Sequence, residues 1–171
     1  MPSGKIHDRL TVVTAVLSAP VWVLASPSLD AASYAAGLAG YLISGFYLSG
    51  DLDTKSAPLK RWGPLKFIWW PYQKLVPHRS WISHGIGVGP ILRTVYFAAV
   101  IWVLARSLLY LVDQWLIPLD RDAVIAHGAI ALATFVWRHP AWSEWALGGL
   151  VLGGVTHTIA DAVTSAIKKA W

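Results

Sequence analysis

Two aspartates, Asp51 and Asp53, open the stretch GDLDTKSAPLKRWGPLKFIWWPYQKLVPHRSWISH, and two histidines, His78 and His84, close it. Near the other end of the chain, His157 and Asp161 stand four residues apart, a spacing that puts both on one face of a helix. His7 and Asp8 are neighbours near the start. Imidazole and carboxylate are the donors of zinc, manganese and iron sites. The chain has no cysteine, which excludes thiolate zinc, iron–sulfur clusters and disulfides. Zinc is the favoured ion, with manganese or iron as alternatives. Gathered together, these groups outnumber the ligands of one tetrahedral zinc. They suit two ions bridged by Asp51 or Asp53, or one ion whose histidines are oriented by further carboxylates. A water on such an ion is a nucleophile near neutral pH. Arg79, beside His78, has the chemistry to hold a phosphate oxygen, and His84 or His157 to move a proton.

Each group also has a plainer reading. The two aspartates could stop a helix and solvate a loop. His157 and Asp161 could be a hydrogen-bonded pair between helices. His7, His78, His84 and Arg79 could be interfacial or headgroup-facing residues. Whether the elements of the chain bring the groups to one place decides between these readings.

Apolar residues make up 56% of the chain and charged residues 13%, where a soluble domain has about 25% charged. That balance predicts an integral membrane protein forming a single domain over residues 1–171. The expected architecture is all-α: a polytopic bundle of four full spans, a short re-entrant or interfacial apolar helix, and a cytoplasmic amphipathic loop helix. The first span runs from Leu10 to Ala25, kinked at Pro20; a cleaved signal peptide is the alternative for this segment. Ser26 to Ala32 forms a turn with Asp30 as a cap, and Ala31 to Gly50 is a second span rich in small residues. Lys66 to Leu75 reads as an interfacial piece with aromatic anchors and lysine heads. The glycines of Gly85-x-Gly87-x-Gly89 are a flexible entry to the third span, Pro90 to Val112, whose Arg93 and Arg106 snorkel from its ends. Ala123 to Trp137 is too short to cross comfortably, and Trp142 to Ala166 is the last span, with Gly149 and Gly153 at GxxxG spacing.

Lys5 and Arg9, the central loop, and Lys168 and Lys169 all favour the cytoplasmic side. An even number of crossings satisfies them and places both termini inside. In that arrangement His7, Asp8, Asp51, Asp53, His78, His84, His157 and Asp161 share one face, while His127 and His139 fall on the other and are read as structural. The net charge of +5 is clustered where topology requires it, so it is no sign of nucleic-acid binding.

The segments PSGKIHD, GDLD, KRWGPLKFIWWPYQKLVPHRSWISHG and LGGLVLGGVTHTIAD resemble a family of uncharacterised bacterial membrane metal-binding proteins. More distantly, the order DLD, HRSWISH, HTIAD is similar to the LexA-regulated, inner-membrane-associated metal-dependent hydrolases. The resemblance implies Asp51, Asp53, His78, His84, His157 and Asp161 as metal residues, and His7 matches an early histidine of that family. Thr54 stands where the hydrolases have a histidine, and Ser83 where they have threonine.

The combined expectation is a multi-pass protein of the bacterial inner membrane that holds one or two divalent ions at the cytoplasmic interface. Its activity would be phosphoester hydrolysis on a lipid-linked or headgroup phosphate, with Asp51, His84 and Arg79 as catalytic groups. Expected partners are membrane lipid, a phosphorylated lipid substrate, and a second copy or a larger membrane complex. A non-catalytic, metal-stabilised accessory subunit is the alternative, and a haem or pigment protein using histidine pairs a more remote one.

Overall fold

The computed structural model describes residues 4–25, 30–77, 80, 85 and 87–170. Every regular element among them is helical. The α-helices are α1 (Gly4–Ala25), α2 (Ala31–Phe46), α3 (Ala57–Arg61), α4 (Trp70–Leu75), α5 (Val88–Trp115), α6 (Arg121–Arg138) and α7 (Pro140–Ala170). Two 3-10 turns, Gly50–Asp53 and Gly63–Trp69, fall between α2 and α4. The chain forms two compact units: Met1–Thr94 with Ala141–Trp171, and Val95–Pro140.

In the first unit α1 packs along α2. Asp30 starts α2 by accepting from the amides of Ala32 and Ser33, both at 2.9 Å, so two of the helix's otherwise unmatched N–H groups are satisfied. Glycines let α7 come close to α2. A Cβ on Gly149 would run into the carbonyl of Gly37, and one on Gly40 into that of Ala146. Two helices in backbone contact have no room there for a side chain. Around this seam Ala15, Trp22 and Tyr41 form the apolar core, with Trp145 at 5.4 Å and Tyr34 at 6.0 Å from the Trp22 ring. The Tyr41 hydroxyl lies 3.0 Å from Thr156 and 2.6 Å from Thr14, so one phenol ties α2 to both α7 and α1.

The segment after α2 folds back on itself. Ser56 caps α3, whose Arg61 donates to the Phe46 carbonyl at 2.8 Å and pairs with Asp8. Gly63, at φ +52°, turns the chain from α3 into the second 3-10 turn in a conformation that favours glycine. Tyr47, Trp62, Trp69 and Tyr72 then stack edge to face in series. Lys66 to Leu75, expected as an amphipathic piece interrupted by prolines, is broken in this way. It is the end of a 3-10 turn followed by α4, and Trp69 and Tyr72 are buried while Phe67, Trp70 and Leu75 stay exposed. Pro64 and Pro71 prevent a continuous helix by removing backbone donors.

In the second unit the end of α5 and α6 are tied by Arg121–Asp113 at 3.1 Å and Arg106–Asp122 at 3.2 Å. No residue of α6 is buried.

The expectation of four full membrane spans is overturned. Among the described residues two helices are long and apolar enough to cross a bilayer, within Val88–Trp115 and Pro140–Ile167. The helix α2 stops at Phe46 after 16 residues, about 24 Å at 1.5 Å per residue, against a hydrocarbon core of about 30 Å. In α1 the first turns carry Lys5, His7, Asp8 and Arg9, which leaves only the short run from Leu10. Arg93 does not snorkel either. It is fully buried, and its Nε donates to the Leu48 carbonyl at 2.8 Å.

Candidate metal centre

Three elements of the first unit bring four donors together. The first helix supplies His7 from its opening turns, and the 3-10 turn Gly50–Asp53 supplies Asp51. His157 and Asp161 come from successive turns of α7, as their spacing requires. One ligand atom from each of these residues lies within 4.8 Å of all the others. His7 Nε2 is 3.2 Å from Asp161 Oδ1, and His157 Nε2 is 3.4 Å from Asp161 Oδ2 and 3.8 Å from Asp51 Oδ1. The two imidazole centroids are 4.4 Å apart.

These separations fit a shared ion. Two donors about 2.1 Å from one tetrahedral ion are about 3.4 Å apart, and the measured contacts straddle that distance. Direction supports the same conclusion. The Nε2 atoms of His7 and His157 are buried and within reach of carboxylate oxygens, yet neither makes a well-directed hydrogen bond. Charge supports it too. Two carboxylates of one sign sit in a pocket where the His157 side chain is 2% exposed and Asp51 14%. A divalent cation would neutralise both and relieve the like-charge cost.

The surroundings tune the donors. The contact with Asp161 holds the His7 imidazole above its usual 6.5, against burial, which pulls it down; the charges of Asp161, Asp51 and Asp8 add to the rise. Burial pushes the Asp51 carboxyl up, but its contact with His157 and the charges of His157 and His7 outweigh that, and it ends below its usual 3.8. Asp51 is therefore an anion at any pH where His7 can lose its proton.

Of the other sequence-derived candidates, Asp53 is buried on the same turn but is not one of the four clustered donors. Its charge bears on Arg93 and Tyr72. Residues two apart on a 3-10 turn cannot share a face, so Asp51 turns to α7 while Asp53 does not. Asp8 is engaged by Arg61. His78, Arg79 and His84 lie outside the described residues. His127 bonds to the Ala123 carbonyl at 2.7 Å and His139 rests 5.1 Å from the Phe135 ring, both in the second unit.

Sequence reasoning missed two supporting residues. Arg93 anchors the Leu48 carbonyl just before the turn Gly50–Asp53, and its charge bears on both Asp51 and Asp53. The signal was present: a charged side chain early in an apolar helix is costly unless it serves a buried partner. Gln73 donates from Nε2 to the carbonyls of Leu52, at 2.9 Å, and Thr54, at 3.3 Å, bracing the same turn from its other side. Nothing in the pattern around Gln73 marks it out.

Among the described residues, fold and site thus define an all-α protein with a histidine–aspartate cluster that could hold a metal ion. The chain belongs to the family described as uncharacterized metal-binding protein (DUF2227), which matches residues 2–171. It is also 41% identical over 58 residues to a protein of Aquifex aeolicus (strain VF5) described as an uncharacterized protein. That similarity takes in 33% of this chain and 40% of the relative's length. No solved structure matches the chain.

Proposed function

We propose that the protein is a membrane-associated, metal-dependent hydrolase of the phosphoesterase type. The donor set carries this reading. His7, Asp51, His157 and Asp161 offer two nitrogens and two oxygens and no sulfur. Structural zinc sites are built mainly on cysteine, whereas hydrolytic sites combine histidine with carboxylate. All four donors are in reach of one ion, which favours a single zinc, with manganese or iron as alternatives. When bound, the ion supplies Lewis acidity to activate water and polarise a phosphoryl oxygen.

The chain's own residues divide the remaining work. Asp161 faces the Nε2 atoms of both imidazoles, the atoms that would meet the ion, so it would join His7, His157 and Asp51 as a ligand. Asp51, the most exposed of the four, stands on the side from which substrate enters. His84 is assigned to proton transfer and Arg79 to the phosphate oxygens. On this reading α5 and α7, both long and apolar enough to cross a bilayer, anchor the protein in the bacterial inner membrane, and their even number keeps the basic ends on the cytoplasmic side. The helix α6, none of whose residues is buried, then contacts lipid or a second copy.

The experiment is a turnover assay with chromogenic phosphomonoesters and phosphodiesters on protein loaded with zinc, manganese or iron. Chelator-sensitive turnover that disappears in Asp51→Asn is expected. A metal-replete wild type that turns over neither substrate class would reject hydrolysis. One observation favours a non-catalytic role instead: four protein donors fill a tetrahedral ion. Absorption spectra of the cobalt-substituted protein separate the two. A five-coordinate signature that responds to added phosphate indicates an open position; an unresponsive tetrahedral one indicates a closed, structural site.

A further inference from the structure

The segment from α3 to α4 carries a groove of about 410 Å³ whose lining includes Lys55, Lys60, Lys66, Phe67, Trp70 and Gln73. Among the described residues its lining holds three lysines and no carboxylate. Phe67 is 59% exposed and Trp70 63%, although the neighbouring Trp69 and Tyr72 are buried. Ammonium groups beside exposed aromatic rings match the interface of an anionic bilayer. There phosphate is the acceptor, and indole and phenyl rings sit at headgroup level.

We propose that this groove is the docking site for the headgroup of an anionic phospholipid at a membrane surface. Lys55, Lys60 and Lys66 take the phosphate, and Phe67 and Trp70 lie against the glycerol and upper acyl carbons. Gln73 gives the groove a second role. It lines the groove and also holds the Leu52 and Thr54 carbonyls on either side of Asp53, in the turn that presents Asp51 to the metal centre. Headgroup binding therefore braces the metal-bearing turn, and lipid occupancy and metal retention support one another. This inference rests on the membrane association proposed above and is independent of hydrolysis.

The test is native mass spectrometry of the full chain in neutral detergent, offered phosphatidylglycerol or phosphatidylcholine. Wild type is expected to retain phosphatidylglycerol preferentially. The preference should fall by about tenfold or more in Lys60→Glu/Lys66→Glu, in line with the pull of an anionic surface on each basic residue. Arg138→Glu, in the other unit, should leave it unchanged. Trp70→Ala should weaken retention of both lipids, and a wild-type far-UV circular dichroism spectrum in the lysine variant shows that it is folded. Equal retention of the two lipids by wild type overturns the assignment, as does an equal loss in Arg138→Glu. Displacement of phosphatidylglycerol by inorganic phosphate at equal concentration also overturns it, making the groove a free-phosphate site. Fractionation of expressing cells at physiological salt separates the two failures. Protein absent from the membrane fraction ends the membrane reading and this proposal with it; protein present there, but without lipid preference, ends the groove assignment alone.

Discussion

At the scale of single residues, the centre depends on opposite charge held in a small volume. His157→Ala and Asp161→Asn each remove a buried donor, and purified variants should contain little metal by elemental analysis, where wild type holds about one ion per chain. A full metal complement in both would show that the four donors do not form the site. Proton competition sets the pH dependence. Because the Asp161 contact raises His7, protons compete for it up to a higher pH than for an ordinary imidazole. Metal affinity should therefore decline as pH falls through neutrality, as measured by competition with a chromophoric chelator. Without metal the same shifts govern stability. The lowered Asp51 contributes fully above about 3.8 and is lost as pH falls through its folded value. The raised His7 contributes fully below about 6.5 and is lost as pH rises through its folded value. Chelated protein should have its highest melting temperature between those limits; metal-loaded protein should remain stable above them. Coincident curves for the two forms would contradict this linkage.

At the scale of elements, two features hold the site in register. The first is the α2–α7 seam. Gly149→Ala forces a methyl group against the Gly37 carbonyl and should cost about 1–3 kcal/mol, since neither backbone can retreat. Gly148 has nothing within 4 Å of a Cβ, so Gly148→Ala should be neutral or stabilise by up to about 1 kcal/mol. Denaturant or thermal titration of the pair checks both signs at once. The second is the bracing of the turn Gly50–Asp53 by Arg93 and Gln73. Arg93→Met keeps the bulk but removes the bond to Leu48, and should raise the metal dissociation constant roughly 10–100-fold, the usual effect of losing a group that orients a ligand. An unaltered dissociation constant would leave Arg93 with a packing role only.

At the scale of the whole molecule, an ion held by these four donors would close a loop through the chain. His7, Asp51 and the His157–Asp161 pair are distant in sequence, so binding to the native state draws on the folding equilibrium. Metal at about 100 times its dissociation constant should stabilise by about 2.7 kcal/mol over chelated protein, visible as a metal-dependent melting temperature. No such dependence would detach the site from folding.

Local order along the chain determined a good deal without tertiary structure. Helical class, the Asp30 cap, the facing of His157 with Asp161, and the nitrogen–oxygen character of the centre all follow from residue type and a fixed helical period. Apolar composition was a poorer guide to architecture. It measures how much of a segment avoids water, not whether lipid or another helix covers it, so two segments read as spans proved too short or too polar at one end. Only the fold decided that Asp51 faces α7 while its neighbour Asp53 does not, that Arg93 turns inward, and that His7 meets Asp161. Those outcomes depend on turn geometry and on how closely glycine lets two backbones approach, and neither is encoded within the span of any one motif.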